Sequence, residues 1–178
     1  MIITENFIID KLKQADANQL HQFMIDNTER LYKFFPVTLF SNTTVEKSIV
    51  YIAIKEKEIQ ERINFTFAIR TIDSQKIAGL IIIKKIDWTK KQGEFAYCIG
   101  EDFEGKGLVT KAVEVISKFA FNELNLKTVQ IIAHKTNLAS VKVAEKAGFI
   151  WRKTLLNEFT PTDEVPLDME LYELTNEK

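Results

Sequence analysis

Between Phe95 and Ala120 the chain changes its hydrophobic period, and that change constrains the fold more than any other feature. The run Phe95-Ala96-Tyr97-Cys98-Ile99 reads as a strand, and a short loop with Gly105 and Gly107 follows. Val109, Ala112, Val113, Ile116 and Ala120 then recur on one helical face, with Lys111, Glu114 and Lys118 on the other. Glu114 and Lys118 stand at the favourable i,i+4 spacing. A further strand at 128–133 completes a strand–helix–strand unit, which should be a right-handed parallel crossover. The loop also delivers backbone N–H groups at a helix N-terminus, where unpaired donors and the helix dipole favour a phosphate. Its local reading is a pyrophosphate-binding turn.

The flanking segments set the rest of the architecture. A short strand is expected at 7–13, and Asp16 offers an N-cap for a helix carrying Leu20, Phe23 and Met24 inward. The aromatic stretch 31–36 ends in Pro36 and should leave that helix as a loop. A second helix is expected over 44–62, with Val45, Ile49, Ile52, Ile59 and Ile63 on one face. From Phe65 alternation takes over. Residues 73–76 read as a hairpin turn, and 77–86 as a strand buried on both faces. A turn at 87–92 leads to the strand before the glycines. Beyond 128–133 come a helix over 138–146, its stop at Gly148, and strands near 150–156 and 167–174. The expected order is β–α–α–β–β–β–α–β–α–β–β, a mixed α/β sheet with helices on its faces.

Size and charge narrow the function. With 178 residues the chain is most simply one domain over 1–178. A net charge of −1 offers no global field for nucleic acid or an anionic membrane. Cys98 is the only cysteine, and His21 and His134 are isolated, so neither a disulfide nor a zinc site is expected. The N-terminal residues lack a basic n-region and a long apolar stretch, which argues for a cytoplasmic protein.

Three phosphate-binding patterns compete for the loop. A nucleotide P-loop requires Lys-Ser/Thr after its second glycine, but Leu108-Val109 follows Gly107. A dinucleotide fold requires a third glycine and an acidic end to the next strand. Here Thr110 stands at the glycine position and the strand ends Ala133-His134-Lys135. Two glycines alone also suit a merely tight connection; a second segment, Asn137-Leu138-Ala139-Ser140-Val141-Lys142-Val143-Ala144-Glu145-Lys146-Ala147-Gly148-Phe149, follows a strand and reads as a short helix ending in Gly-Phe.

Together with Glu104-Gly105-Lys106-Gly107-Leu108-Val109-Thr110-Lys111-Ala112, that segment resembles the GNAT superfamily of acyl-CoA-dependent N-acetyltransferases. The branch it is most similar to is that of the ribosomal-protein N-terminal acetyltransferases (the Rim type). The resemblance implies a GNAT-like mixed, mostly antiparallel twisted sheet with helices on both faces and a central parallel β–α–β unit. It implies acetyl-CoA as cosubstrate, no metal, and an amine acceptor, in a monomer or a homodimer.

Residue by residue, the resemblance implies that backbone N–H groups around Gly105, Lys106, Gly107, Leu108 and Val109 hold the CoA pyrophosphate, with Thr110 adding its hydroxyl. Tyr97, Cys98 and Ile99 would pair with the pantetheine amides like an added strand. Asn137 matches a cofactor-contacting amide and is equally suited to cap the next helix. Lys142, and beyond it Lys146, would reach the adenosine phosphates. Ser140 matches the serine that protonates the leaving thiolate, with Tyr97 as an alternative donor. Glu94 is the expected general base, acting through water, and His134 is the other titratable choice. Cys98 reads as a packing residue, since its neighbours supply nothing to activate a thiol.

Glu104 departs from the pattern, which has Gln or Arg there. A carboxylate beside a pyrophosphate is repulsive unless it points to solvent or pairs with Lys106. The first two helices, with residues 31–40 between them, would form one wall of an acceptor cleft and the turn 87–91 the other. The acceptor stays open between a ribosomal-protein N-terminus, another peptide α-amine, a polyamine and an antibiotic-like amine. A non-catalytic acyl-CoA-binding or regulatory module is the competing class.

Overall fold

The computed structural model describes residues 1–162 and 164–176; positions 163, 177 and 178 of the expected 1–178 domain lie outside the described residues. In chain order the elements are β1 (Ile2–Ile3), β2 (Ile8–Lys11), α1 (Ala17–Asp26), α2 (Thr28–Tyr32), α3 (Pro36–Phe40) and α4 (Val45–Gln60). They continue with β3 (Phe65–Arg70), β4 (Ile77–Asp87), β5 (Gln92–Ile99), α5 (Leu108–Asn122), β6 (Thr128–Ala133), α6 (Leu138–Lys146), β7 (Ile150–Phe159) and β8 (Leu167–Thr175). The strands form a mixed, eight-stranded sheet in the order β1-β2-β3-β4-β5-β6-β8-β7. Among the described residues β5 and β6 make its one parallel pair, so the strand–helix–strand unit read from the sequence supplies that pair.

The chain divides into two compact units. The first comprises Met1–Ile82 and Tyr97–Leu108. Its core gathers Leu20 and Met24 from α1, Leu39 from α3, Ile52 from α4, and Ile77 and Leu80 from β4, all essentially sealed from solvent. Burying a side chain of this size stabilises by about 1.5–3 kcal/mol. Three expectations change here. Asp16 stands at the N-cap of α1 without capping it. Its carboxylate takes the buried Arg70 guanidinium in a two-pronged contact of 3.1 and 2.6 Å, a stronger partner than a helix N–H.

The stretch after Leu31 is not simply a loop. Pro36 opens α3 at its first turn, where a missing N–H costs nothing. On α4, which Thr44 caps by accepting from the Lys47 N–H at 3.2 Å, the buried residues are Ser48, Tyr51 and Ile52. Ile49 and Ile63, expected inward, are 45% and 52% exposed. The i, i+3, i+4 set built around the large Tyr51 ring defines the face instead.

The second unit comprises Ile83–Ala96 and the chain from Val109 onward. Here α5 buries Val109, Ala112, Val113, Ile116 and Ala120, the face that its periodicity predicts. Phe95 of β5 and Phe149 after α6 meet with ring centroids 6.2 Å apart. Gly148 takes φ +84° as α6 ends, a left-handed stop that glycine adopts without strain. Strand β7 extends beyond the expected end at 156 and is exposed along most of its length. Among the described residues no helix is long and apolar enough to cross a membrane.

Candidate active site

The segment from Tyr97 to Leu108 belongs to the first unit. The parallel ladder between β5 and β6 runs from Gln92↔Thr128 to Phe95↔Ile131 and stops before this segment begins. Cys98 is buried in the apolar core, and burial pushes its thiol up to about 12 against a hydrogen bond with the Leu80 backbone. It is a packing residue in its geometry. Gly79 on β4 allows this placement: a Cβ there would lie 2.3 Å from the Cys98 carbonyl oxygen.

The loop's start is fixed from two directions. The Gly100 N–H donates to the Ala78 carbonyl at 2.8 Å. The Glu101 N–H donates to Asn27 Oδ1 at 3.0 Å, while Asn27 Nδ2 donates to the Phe23 carbonyl at 2.8 Å. Asn27, 7% exposed at the joint of α1 and α2, thereby ties the N-terminal helices to the loop. A single 3-10 turn, Glu101–Phe103, then leads to Gly105 and Gly107, both at φ +73°. Neither glycine has a heavy atom within 4 Å of a would-be Cβ. The backbone conformation, rather than crowding, is what demands glycine there.

Glu104 is met by Arg30 of α2, whose Nη1 stands 2.8 Å from Glu104 Oε2. The hydrogen bond from Arg30, reinforced by its charge, holds this carboxyl below its ordinary value of 4.5. Lys106, the expected partner, is engaged elsewhere. Its ammonium donates to the Asp102 carbonyl at 2.6 Å and lies 5.6 Å from the Phe103 ring centre. The geometric reason is local: a lysine two residues along a left-handed turn folds back over the 3-10 turn, whereas α2 presents a guanidinium directly to Glu104.

In the second unit, α5 carries Val109 inward and Thr110 half-buried in its first turn. Asn137 caps α6: its Oδ1 accepts the Ser140 N–H at 3.2 Å. Ser140 is half-buried, while Lys142 and Lys146 are exposed on α6. His134 Nδ1 contacts Thr136 Oγ1 at 2.7 Å in the turn leading to that helix.

Glu94, 7% exposed, is held by two lysines of β4. Lys84 Nζ is 2.8 Å from one carboxylate oxygen and Lys85 Nζ 3.0 Å from the other. Burial lowers the Lys85 ammonium, but the hydrogen bonds and charges of Glu94 and Glu158 outweigh it and hold the group above its ordinary 10.5.

The structure therefore brings Tyr97, Cys98, Ile99, Gly105, Lys106, Gly107 and Leu108 onto one segment that runs straight into α5. It places Asn137, Ser140 and Lys142 together in the first turns of α6. Glu94 lies in an ion triad with Lys84 and Lys85 on β4 and β5. Sequence reasoning missed Asn27 and Arg30. An Asn inside a helical run was the one signal available, and nothing local marked Arg30. Among the described residues no group of three His, Cys, Asp or Glu is placed to hold a metal ion.

A mixed sheet with one parallel pair, a double-glycine loop entering a helix and a capped second helix make up a fold seen in solved structures. The crystal structure of ribosomal-protein-S5-alanine acetyltransferase from Vibrio fischeri shares it, with a TM-score of 0.91 at 20% identity over 99% of this chain and 97% of that one. The acetyltransferase (GNAT) domain family matches residues 6–150, and the chain belongs to that family: it is an acetyl-CoA-dependent N-acetyltransferase. Its relatives include YdaF of Bacillus subtilis (strain 168), which carries the name of a ribosomal N-acetyltransferase. It is 31% identical over 150 residues, covering 83% of this chain and 80% of that protein. Spermidine N(1)-acetyltransferase of Escherichia coli (strain K12) is 28% identical over 151 residues, covering 83% and 75%.

Proposed function

We propose that the protein acetylates a single primary amine, an N-terminal α-amine of the ribosomal-protein type, using acetyl-CoA bound along Tyr97–Thr110. The observation that carries the cofactor reading is the run of half-buried strand, two left-handed glycines and helix start on one continuous segment. Oriented backbone N–H groups in such a turn suit an anion. The pyrophosphate would lie on Gly105–Thr110, and the pantetheine would extend β5 at Tyr97, Cys98 and Ile99. Asn137 would serve as both helix cap and cofactor contact, and Lys142 would reach the adenosine phosphates.

In the reaction the amine nitrogen attacks the thioester carbonyl carbon. A C–N bond forms, the C–S bond breaks, the nitrogen loses a proton, and the departing thiolate gains one. Ser140 is assigned as the donor to sulfur, with its backbone held by Asn137. Glu94 is the strand's acidic candidate for the amine proton. Its two ammonium partners, Lys84 and Lys85, anchor it on β4 and β5, and water and His134 are the other routes for the amine proton.

Two observations support a monoamine acceptor. The relative YdaF bears a ribosomal N-acetyltransferase name. In addition, Asp10, Asp16, Glu58 and Glu104 of the first unit each hold a cation of the chain itself, so these carboxylates are not offered to a polycation. The spermidine acetyltransferase relative makes a polyamine the second reading.

The test is thiol release from acetyl-CoA with Ala-, Ser- and Met-initiated peptides and with spermidine. Acceleration by peptides with free N-termini, lost when those termini are blocked, is the expected result. Acceleration by spermidine alone would establish the second reading. CoA binding without turnover on either the peptides or spermidine would remove both readings of the acceptor.

A further inference from the structure

The loop that would receive a pyrophosphate is itself acidic. Its residues Glu101, Asp102 and Glu104 carry three negative charges against the single positive charge of Lys106. That lysine is directed to the Asp102 carbonyl and the Phe103 ring, and Lys76 lies over the same ring at 5.9 Å. The charge facing Glu104 comes instead from Arg30, 2.8 Å away. Arg30 also feels Glu101, whose backbone Asn27 holds from the preceding joint.

We propose that Arg30 is a positioning residue for the cofactor: by pairing with Glu104 it cancels the carboxylate that would repel the pyrophosphate, and with Asn27 it sets the loop's approach. The inference rests on the reading of residues 105–110 as the pyrophosphate turn. The same pairing lets a residue of α2, outside both sequence motifs, control the affinity for the cofactor. It also explains how a glutamate is tolerated where Gln or Arg is usual.

The experiment compares binding of CoA and of S-acetylpantetheine, which lacks the pyrophosphate, to the wild type, Arg30→Ala, Glu104→Gln and the double variant. Arg30→Ala should weaken CoA by roughly three- to tenfold, the scale of an uncovered, half-exposed charge near two phosphate charges. S-acetylpantetheine should bind as before. Adding Glu104→Gln should restore CoA affinity to within about twofold, since it removes the charge left uncovered. Glu104→Gln alone, which keeps Arg30, should bind CoA at least as tightly as the wild type, and it remains informative if Arg30→Ala fails to fold. The deficit of Arg30→Ala should shrink as salt is raised, and it should show as a higher KM for acetyl-CoA with kcat kept.

Equal loss of both ligands, or no rescue by Glu104→Gln, would make Arg30 a merely structural residue and overturn the inference. Unchanged CoA binding in Arg30→Ala would do the same while leaving the cofactor site intact. A wild type that binds S-acetylpantetheine but gains nothing from the pyrophosphate of CoA would instead overturn the reading of the loop.

Discussion

Glu94 has an ammonium on each carboxylate oxygen, Lys84 at 2.8 Å and Lys85 at 3.0 Å. Glu94→Gln should therefore act first on stability. Replacing the charged acceptor of two ammonium groups by a neutral amide, which keeps one acceptor oxygen, should cost about 1–3 kcal/mol in a urea melt, with kcat changed by less than about fivefold on the scale of a general-base loss of 10²–10⁴. A hundredfold fall in kcat with stability retained would return Glu94 to the chemistry. Lys85 adds a pH signature. Its folded-state value lies above the ordinary 10.5, so its contribution is complete below 10.5 and is lost as pH rises through the higher folded value. Alkaline melts should show that loss in the wild type and less of it in Glu94→Gln. Glu104 has the opposite sign. Arg30 holds it below 4.5, so its small, solvent-screened contribution is present above 4.5 and disappears on acidification through the folded value.

At the scale of elements, the loop and its neighbouring strand depend on glycine for two different reasons. Gly105 and Gly107 stand at φ +73° in open space, so an added methyl meets only its own backbone. Gly107→Ala should cost about 1–2 kcal/mol of local strain, visible as roughly tenfold weaker CoA binding with a nearly unchanged melting temperature if the loop relaxes to avoid it. Gly79 is the reverse. Its φ is ordinary, but a methyl would collide with the Cys98 carbonyl oxygen at 2.3 Å, a backbone atom that cannot rotate away. Gly79→Ala should destabilise by about 1–3 kcal/mol or more by forcing β4 from β5, read as a lower denaturant midpoint. It should also make Cys98 accessible to a thiol reagent under conditions where the wild-type thiol, buried and pushed up to about 12, reacts only after unfolding.

At the scale of the whole molecule, the order of elements was readable because it depends on local period. The α5 face, the hairpin at 73–76 and the Gly148 stop are all set by residues within a few positions of each other. The α4 face departs from its hydrophobic spacing because Ser48, Tyr51 and Ile52 turn inward, on a helix packed against α1 and β3, and Ile49 and Ile63 stay exposed. Asp16 was misread for a similar reason, since its partner Arg70 arrives from β3, 54 residues away. The glycine loop was visible in the sequence, but what fixes it was not: Asn27 and Glu101 are 74 residues apart, and no spacing rule links them.

A cofactor that binds the folded chain and not the unfolded one should act on the whole fold. At one hundred times its dissociation constant, acetyl-CoA should add about 2.7 kcal/mol to folded-state stability. For a chain of this size that is a rise of about 5–10 °C in melting temperature. CoA should match it, because the two molecules share the pyrophosphate and the pantetheine, whereas NADH and ATP should leave the transition unmoved. A shift from ATP as large as that from CoA would mean that the loop recognises nucleotide phosphates without the pantetheine contact at Tyr97–Ile99, and the added-strand reading of β5 would fall.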